Sequence, residues 1–261
     1  MALKYIDIST HNGTIDFAKL AGKVDGVIIR AGYGKNNIDK RFKQNAEGCA
    51  RYGIPFGVYW FSYALTKADA ETEAHFCLDA IKPYKVELPI CFDFEYDSVR
   101  YAKDNGVIIT KATATEMAWA FCSVVEKAGY FAMNYSNEDY CKNYFDGELH
   151  KKYALWYARY TASPDFAARP RGCGIWQYSS GGTVAGISGN VDMNYSYFDY
   201  KAIIASKGMN NLGKQQGGVA WYTEARKWAM NAGITDGSRP TEPATRAEVW
   251  SMLQRLQEGA K

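Results

Sequence analysis

The stretch VELPICFDFEYD, residues 86–97, decides how the chain is read. Val86, Leu88, Ile90, Phe92 and Phe94 are apolar, which predicts a buried strand. Pro89 falls near its start, where a missing backbone N–H is tolerated. Side chains alternate faces along a strand, so Cys91, Asp93 and Glu95 share one face and Phe92, Phe94 and Tyr96 the other. Two carboxylates two residues apart at the end of an apolar strand repel each other and lose solvation. One is then expected to hold its proton while the other stays ionised. Cleavage of a glycosidic bond needs such a pair, one acid and one carboxylate. Two solvated acids at a strand exit would show the same local pattern, so the neighbouring segments decide between the readings.

Outward from this stretch, strand-like and helix-like segments alternate. KYIDIS (4–9), GVIIRAGYG (26–34) and PFGVYWFSY (55–63) precede it as strands. YFAMNYSN (130–137), YALWYARY (153–160), GIWQYSS (174–180) and VDMNYSY (191–197) follow, making eight strand candidates. The spacing predicts helices over 15–23, 41–53, 67–83, 110–129 and 137–145. Gly53 and Gly129 stand where helices end on a left-handed residue, and Pro83 stops the third helix. Repeated β–α units predict parallel strands with right-handed crossovers, and eight strands predict closure into a barrel. The last two connections, TASPDFAARPRG and GGTVAGISGN, are too short and too rich in Gly, Pro and Ser for full helices. The expected fold class is α/β, an irregular (β/α) barrel of eight strands and about five helices with a small C-terminal helical hairpin. Functional residues of such barrels lie at the C-terminal strand ends. Asp7, Arg30, Tyr63, Asp93, Glu95, Tyr135, Tyr160, Gln177 and Asp192 fall in or near those ends.

A formal net charge of +3 offers no nucleic-acid footprint. The 20 tyrosines and 7 tryptophans supply the flat amphipathic rings that sugar clefts use, although such rings also fill cores. Cys49, Cys77, Cys91, Cys122, Cys141 and Cys173 are scattered without CxxC spacing, and read as small buried apolar residues. His11, His75 and His150 form no ligand cluster, so no metal site is expected. MALKYIDIST shows no basic region followed by an apolar one, so no signal peptide is expected and synthesis is placed in the cytoplasm. No apolar run reaches the length of a membrane span.

Three parts are expected: a catalytic barrel over 1–205, a linker over 206–218 and a small helical module over 219–261. SKGMNNLGKQQGG has linker composition. AWYTEARKWAMNAGI (220–234) is amphipathic, and Thr245 and Glu248 make a capping box before AEVWSMLQRL. About 40 residues are few for an independent core, so the hairpin is expected to dock on the barrel, a second copy or another chain. The tail from residue 207 holds 8 Lys/Arg against 5 Asp/Glu and so carries the whole positive excess.

YIDIS, GVIIRAGYG, PFGVYWFSYA, the DFE of 93–95, NYSN, LWYARY, GIWQYSS and GISGNVDMN stand in one order along residues 3 to about 200. In these pieces the chain resembles glycoside hydrolase family 25, the muramidases of phage endolysins and bacterial autolysins. The resemblance implies a modified β/α barrel that cleaves the β-1,4 bond between N-acetylmuramic acid and N-acetylglucosamine in peptidoglycan, acting at the bacterial cell wall. It implies no metal and no organic cofactor. It makes Glu95 the general acid and Asp93 the second carboxylate of the motif, with Asp7 and Asp192 as further acids around the cleft floor. Tyr63, Tyr135, Trp156 and Tyr160 fall where the family lines its groove. Asp93 is expected to stay charged, keep Glu95 protonated and hold the N–H of a substrate acetamide whose oxygen attacks the anomeric carbon. Inversion through an aspartate-activated water is the competing scheme.

Several assignments stay open at this point. Arg30 fits a substrate contact or an ion pair with Asp7 or Asp93. Trp156 and Trp176 fit core or groove, Tyr195 and Tyr197 read as packing or surface, and His11 as polar lining. WAMNAGITDGSRPTEPATRAEVWSMLQRL resembles one S-layer-homology-type repeat, which implies anchoring to a secondary wall polymer. Packing or homo-oligomerisation through the amphipathic stripes is the other reading. Two other functions compete with muramidase. A family 18-like chitinase or N-acetylglucosaminidase would carry a longer run of alternating acids than the DxE here. A non-catalytic wall-binding barrel would have no need of the intact acid set.

Overall fold

The computed structural model describes residues 3–210 and residue 232. Its strands are β1 (Leu3–Ile8), β2 (Gly26–Tyr33), β3 (Asn37–Ile38), β4 (Phe56–Phe61), β5 (Ile90–Asp93), β6 (Ala132–Asn137), β7 (Ala154–Ala158), β8 (Ile175–Gly182) and β9 (Val191–Ser196). The helices are α1 (Phe17–Leu20), α2 (Phe42–Arg51), α3 (Lys67–Ile81), α4 (Tyr96–Asp104), α5 (Lys111–Lys127), α6 (Glu138–Asn143), α7 (Gly147–Lys152) and α8 (Tyr200–Ser206). Eight strands close in the order β1-β2-β4-β5-β6-β7-β8-β9, and β9 returns to β1. The two-residue β3 hangs on β2 outside the ring.

The expected barrel is therefore present, with two differences. β9 runs antiparallel to both β8 and β1, where repeated β–α units predicted parallel strands throughout. The connection 183–190 is too short for a crossover, so the chain turns back as a hairpin. There are also eight helices among the described residues where about five were expected. α4, α7 and α8 have six to nine residues and bury only one or two side chains each, too few to print a 3.6-residue period.

Period-two alternation sorts the barrel into layers. Ile6, Ile8, Val27, Ile29, Val58, Trp60, Ile90 and Phe92 point outward and pack under the helices. Tyr5, Ile28, Cys91, Met133, Tyr135, Trp156 and Ile175 point inward and fill the interior. Leu155, Tyr157, Cys173 and Trp176 form a separate outer cluster, as no long helix covers β7 and β8. Trp176 thus belongs to packing rather than to a groove. All six cysteines are unpaired and five are buried.

The chain divides into two compact units, Met1–Gly213 and Lys214–Lys261. Residues 206–210, read as linker, are tied to the barrel. Ser206 ends α8, and buried Asn210 donates to the carbonyls of Val86 and Leu88 and accepts from Phe131 N at 2.7 Å. The rest of the expected linker and the 219–261 hairpin lie outside the described residues. Among the described residues no helix is long and apolar enough to cross a membrane.

Candidate active site

β5 is shorter than its apolar run, ending on Asp93, but alternation continues past it. Glu95 is still extended, with φ −131° and ψ −168°, before α4 begins at Tyr96. Phe92 and Phe94 stack at 6.2 Å on the helix side, which leaves Asp93 and Glu95 to the mouth. Glu95 N donates to Ser98 Oγ at 3.0 Å, fixing the entry into α4. Across the antiparallel β1–β9 pair, Asp7 and Asp192 are direct partners. Strand closure so brings together the four acids that the sequence places at strand ends.

One network joins Asp7 to the neighbouring strands. Asp7 Oδ2 accepts from Gln177 Nε2 at 2.8 Å and from Asn194 Nδ2 at 2.7 Å. Gln177 Oε1 accepts from Tyr135 Oη at 2.9 Å and Tyr160 Oη at 3.1 Å. Asn194 Oδ1 accepts from Trp156 Nε1 at 2.7 Å. Trp156 is only 2% exposed and lies edge-on to Tyr135 and Tyr59, so it supports the floor and presents no open face to a sugar.

Burial governs the electrostatics. Asp93 is 4% exposed, and its carboxyl is pushed well above the usual range by burial, then by Glu95 and Asp7, with Arg30 pulling the other way. Glu95 is raised to about 7 by burial, Asp97 and Asp192, and is drawn down by a hydrogen bond from Asp93. Asp7 rises to about 8 through burial and Asp192, against its two amide donors. Burial also raises Asp192. Both carboxyls of the pair are thus raised, and Asp93 lies deeper than Glu95. Asp93 Oδ1 is buried and has no hydrogen-bond partner.

Two cavities hold the expected groove tyrosines. One, of about 680 Å³, is lined by Glu95, Tyr96, Tyr135, Asn137, Arg159 and Tyr160 among others. The other, of about 450 Å³, lies against Tyr33, Tyr63, Asp97, Arg100 and Tyr101. A larger one of about 730 Å³, between α1 and α2, contains neither the four acids nor these tyrosines. Tyr135 and Tyr160 thus meet beside Glu95, whereas Tyr63 belongs to the second cavity. His11 is exposed in a 3-10 turn after β1.

Arg30 pairs with neither Asp7 nor Asp93. Its Nε and Nη2 both reach Asp39 Oδ2 at 2.7 Å. Asp39 also accepts from Thr10 N and Arg41 N, so the pair pins the loops behind β1 and β3. Arg30→Lys keeps the charge but loses the fork. It is expected to cost about 1.5 kcal/mol of stability, read as a lower urea midpoint with an unchanged slope.

Sequence reasoning missed Asn194 and Tyr59. Asn194 carried a signal, as it stands two residues beyond Asp192 and therefore on the same face. Tyr59 points into the barrel, where the charges of Asp7, Asp93 and Asp192 add to burial in raising its phenol.

A barrel with four carboxylates gathered at its mouth, two of them buried and all raised, belongs to the class that cleaves bonds with an acid–carboxylate pair. More particularly, residues 6–187 match Glycosyl hydrolases family 25, and the chain belongs to that family. It is 26% identical over 194 residues to the autolytic lysozyme of Clostridium acetobutylicum, covering 74% of this chain and 55% of that protein. It superposes on the modular autolysin LytC of Streptococcus pneumoniae with a TM-score of 0.64 and 33% identity, covering 75% of this chain and 47% of LytC. The chain thus spans about half the length of both relatives. It also shares its fold with the CTP1L endolysin, at 22% identity, a TM-score of 0.63 and 98% of each chain covered.

Proposed function

We propose that the protein hydrolyses the β-1,4 bond between N-acetylmuramic acid and N-acetylglucosamine in peptidoglycan, with Glu95 as general acid and Asp93 assisting the substrate's 2-acetamido group. The observation that carries this reading is Asp93 Oδ1, a buried carboxyl oxygen with no partner in a carboxyl that shares its proton with Glu95. An acetamide N–H arriving at Oδ1 stabilises the ionised form of Asp93. With Asp93 held ionised, the proton of the pair is kept on Glu95, where it is needed. LytC, 33% identical to this chain, has been solved with a synthetic peptidoglycan ligand, which supports this substrate class.

Glu95 gives its proton to the glycosidic oxygen as the C1–O bond breaks. The acetamide oxygen forms a bond to C1, and its N–H, now acidic, is held by Asp93. Water then attacks C1, releasing the acetamide oxygen, and returns a proton to Glu95. Asp7 is fixed by Gln177 and Asn194 beneath this centre, and Tyr135 and Tyr160 reach it through Gln177.

Digestion of purified peptidoglycan tests the reading. New reducing ends are expected on N-acetylmuramic acid. Ends on N-acetylglucosamine would instead indicate a glucosaminidase, and wall binding without release a non-catalytic barrel.

A further inference from the structure

Among the described residues, the mechanism leaves one buried carboxylate with neither a role nor a cationic partner. Glu73 lies on α3 and is 1% exposed. The other buried residues of that helix are Ala70, Ala74, Cys77 and Ile81, all apolar. Packing alone would be served better by another apolar side chain there, because an incompletely paired carboxylate is costly to bury. Glu73 Oε2 has no hydrogen-bond partner. Oε1 accepts from the backbone N of Tyr63 at 2.9 Å, and the Ser62 hydroxyl also bonds to the carboxyl. Ser62 N in turn donates to the carbonyl of Asp93 at 2.7 Å. The carboxylate thus grips the two residues that follow β4, where the chain leaves the barrel and turns Tyr63 into the cavity beside Asp97. There the Tyr63 ring meets Tyr101 at 5.0 Å, Phe61 at 5.2 Å and Tyr33 at 6.4 Å.

We infer that Glu73 is a positioning residue for glycan binding, fixing the backbone of Tyr63 so that its ring stands as a sugar platform in the cavity lined by Asp97. This rests on the peptidoglycan reading above. Its chemistry is that of a fixed acceptor. Long glycans gain contact from an aromatic face already held in place, and lose it when that face must be ordered on binding.

The test uses the full chain and soluble peptidoglycan strands. Glu73→Met, close in volume but without the acceptor oxygen, is expected to raise KM about tenfold with kcat within about twofold. Glu73→Gln keeps the acceptor and is expected to bring KM back to within about twofold of wild type. In a double-mutant cycle, Tyr63→Ala adds nothing to the KM of Glu73→Met, because both remove the same platform. Should Glu73→Met not fold, Ser62→Ala is expected to raise KM about threefold by loosening the same turn. A lowered melting temperature with unchanged KM, a loss confined to kcat, or additive effects in the cycle each overturn the inference. Failure of wild-type protein to release muramic ends would instead overturn the peptidoglycan reading itself.

Discussion

Turnover of peptidoglycan by Glu95→Gln is expected to fall about a thousandfold, within the range that loss of a general acid produces. Glutamine keeps the shape and a hydrogen bond with Asp93 but has no proton to give the leaving oxygen. The pH profile of the wild type should involve the same group. Glu95 is raised to about 7 by burial and by Asp97 and Asp192. The acid works only while protonated and Asp93 only while ionised, so kcat/KM is expected to follow a bell whose two limbs belong to the coupled pair. Asp93→Asn is expected to lower kcat by about 10²–10³ for a different reason. An amide oxygen can accept the acetamide N–H but cannot carry the charge that balances it in the transition state. Initial rates of reducing-end release between pH 5 and 9 check all three. Near-wild-type turnover by Glu95→Gln would remove it from the role of acid.

The acids were legible because period two runs past the end of β5. Nothing interrupts the extended backbone until α4, so counting residues placed Asp93 and Glu95 on one face. Asp7 and Asp192 were legible as strand-end acids, and the closure of the ring makes them partners. Asp39 was not legible as the partner of Arg30. It sits nine residues away in a loop, and a loop's path leaves no periodic trace in the sequence. Neither was the burial of each carboxyl, since residue order carries no depth. The direction of β9 could have been read from 183–190, since a parallel return needs a crossover of about a dozen residues or more. The short helices had too few buried side chains to be found by period at all.

Glu95→Gln is also expected to make the protein more stable at pH 8, by about 2–3 kcal/mol, while leaving stability at pH 4 nearly unchanged. Glu95 ionises near 4.5 in an ordinary setting and near 7 in the folded site. Between these values the folded chain keeps a proton that the unfolded chain releases. Its stability therefore falls as pH rises through that window, by at most about 1.4 kcal/mol per unit. Above pH 7 the whole cost of a buried charge is present, and glutamine removes it. The charge of Glu95 also adds to the upward shifts of Asp93 and Asp7, so its removal eases both. Thermal melts at pH 4, 6 and 8 should show the variant about 4–8 °C above wild type at pH 8 and level with it at pH 4. A difference that does not depend on pH would mean the cluster is not held against its charge. Opposite signs for activity and stability in one substitution would separate these acids from structural ones. A carboxylate kept for the fold is paired with a cation, as Asp39 is with Arg30. One kept for catalysis costs the fold stability at the pH where it ionises.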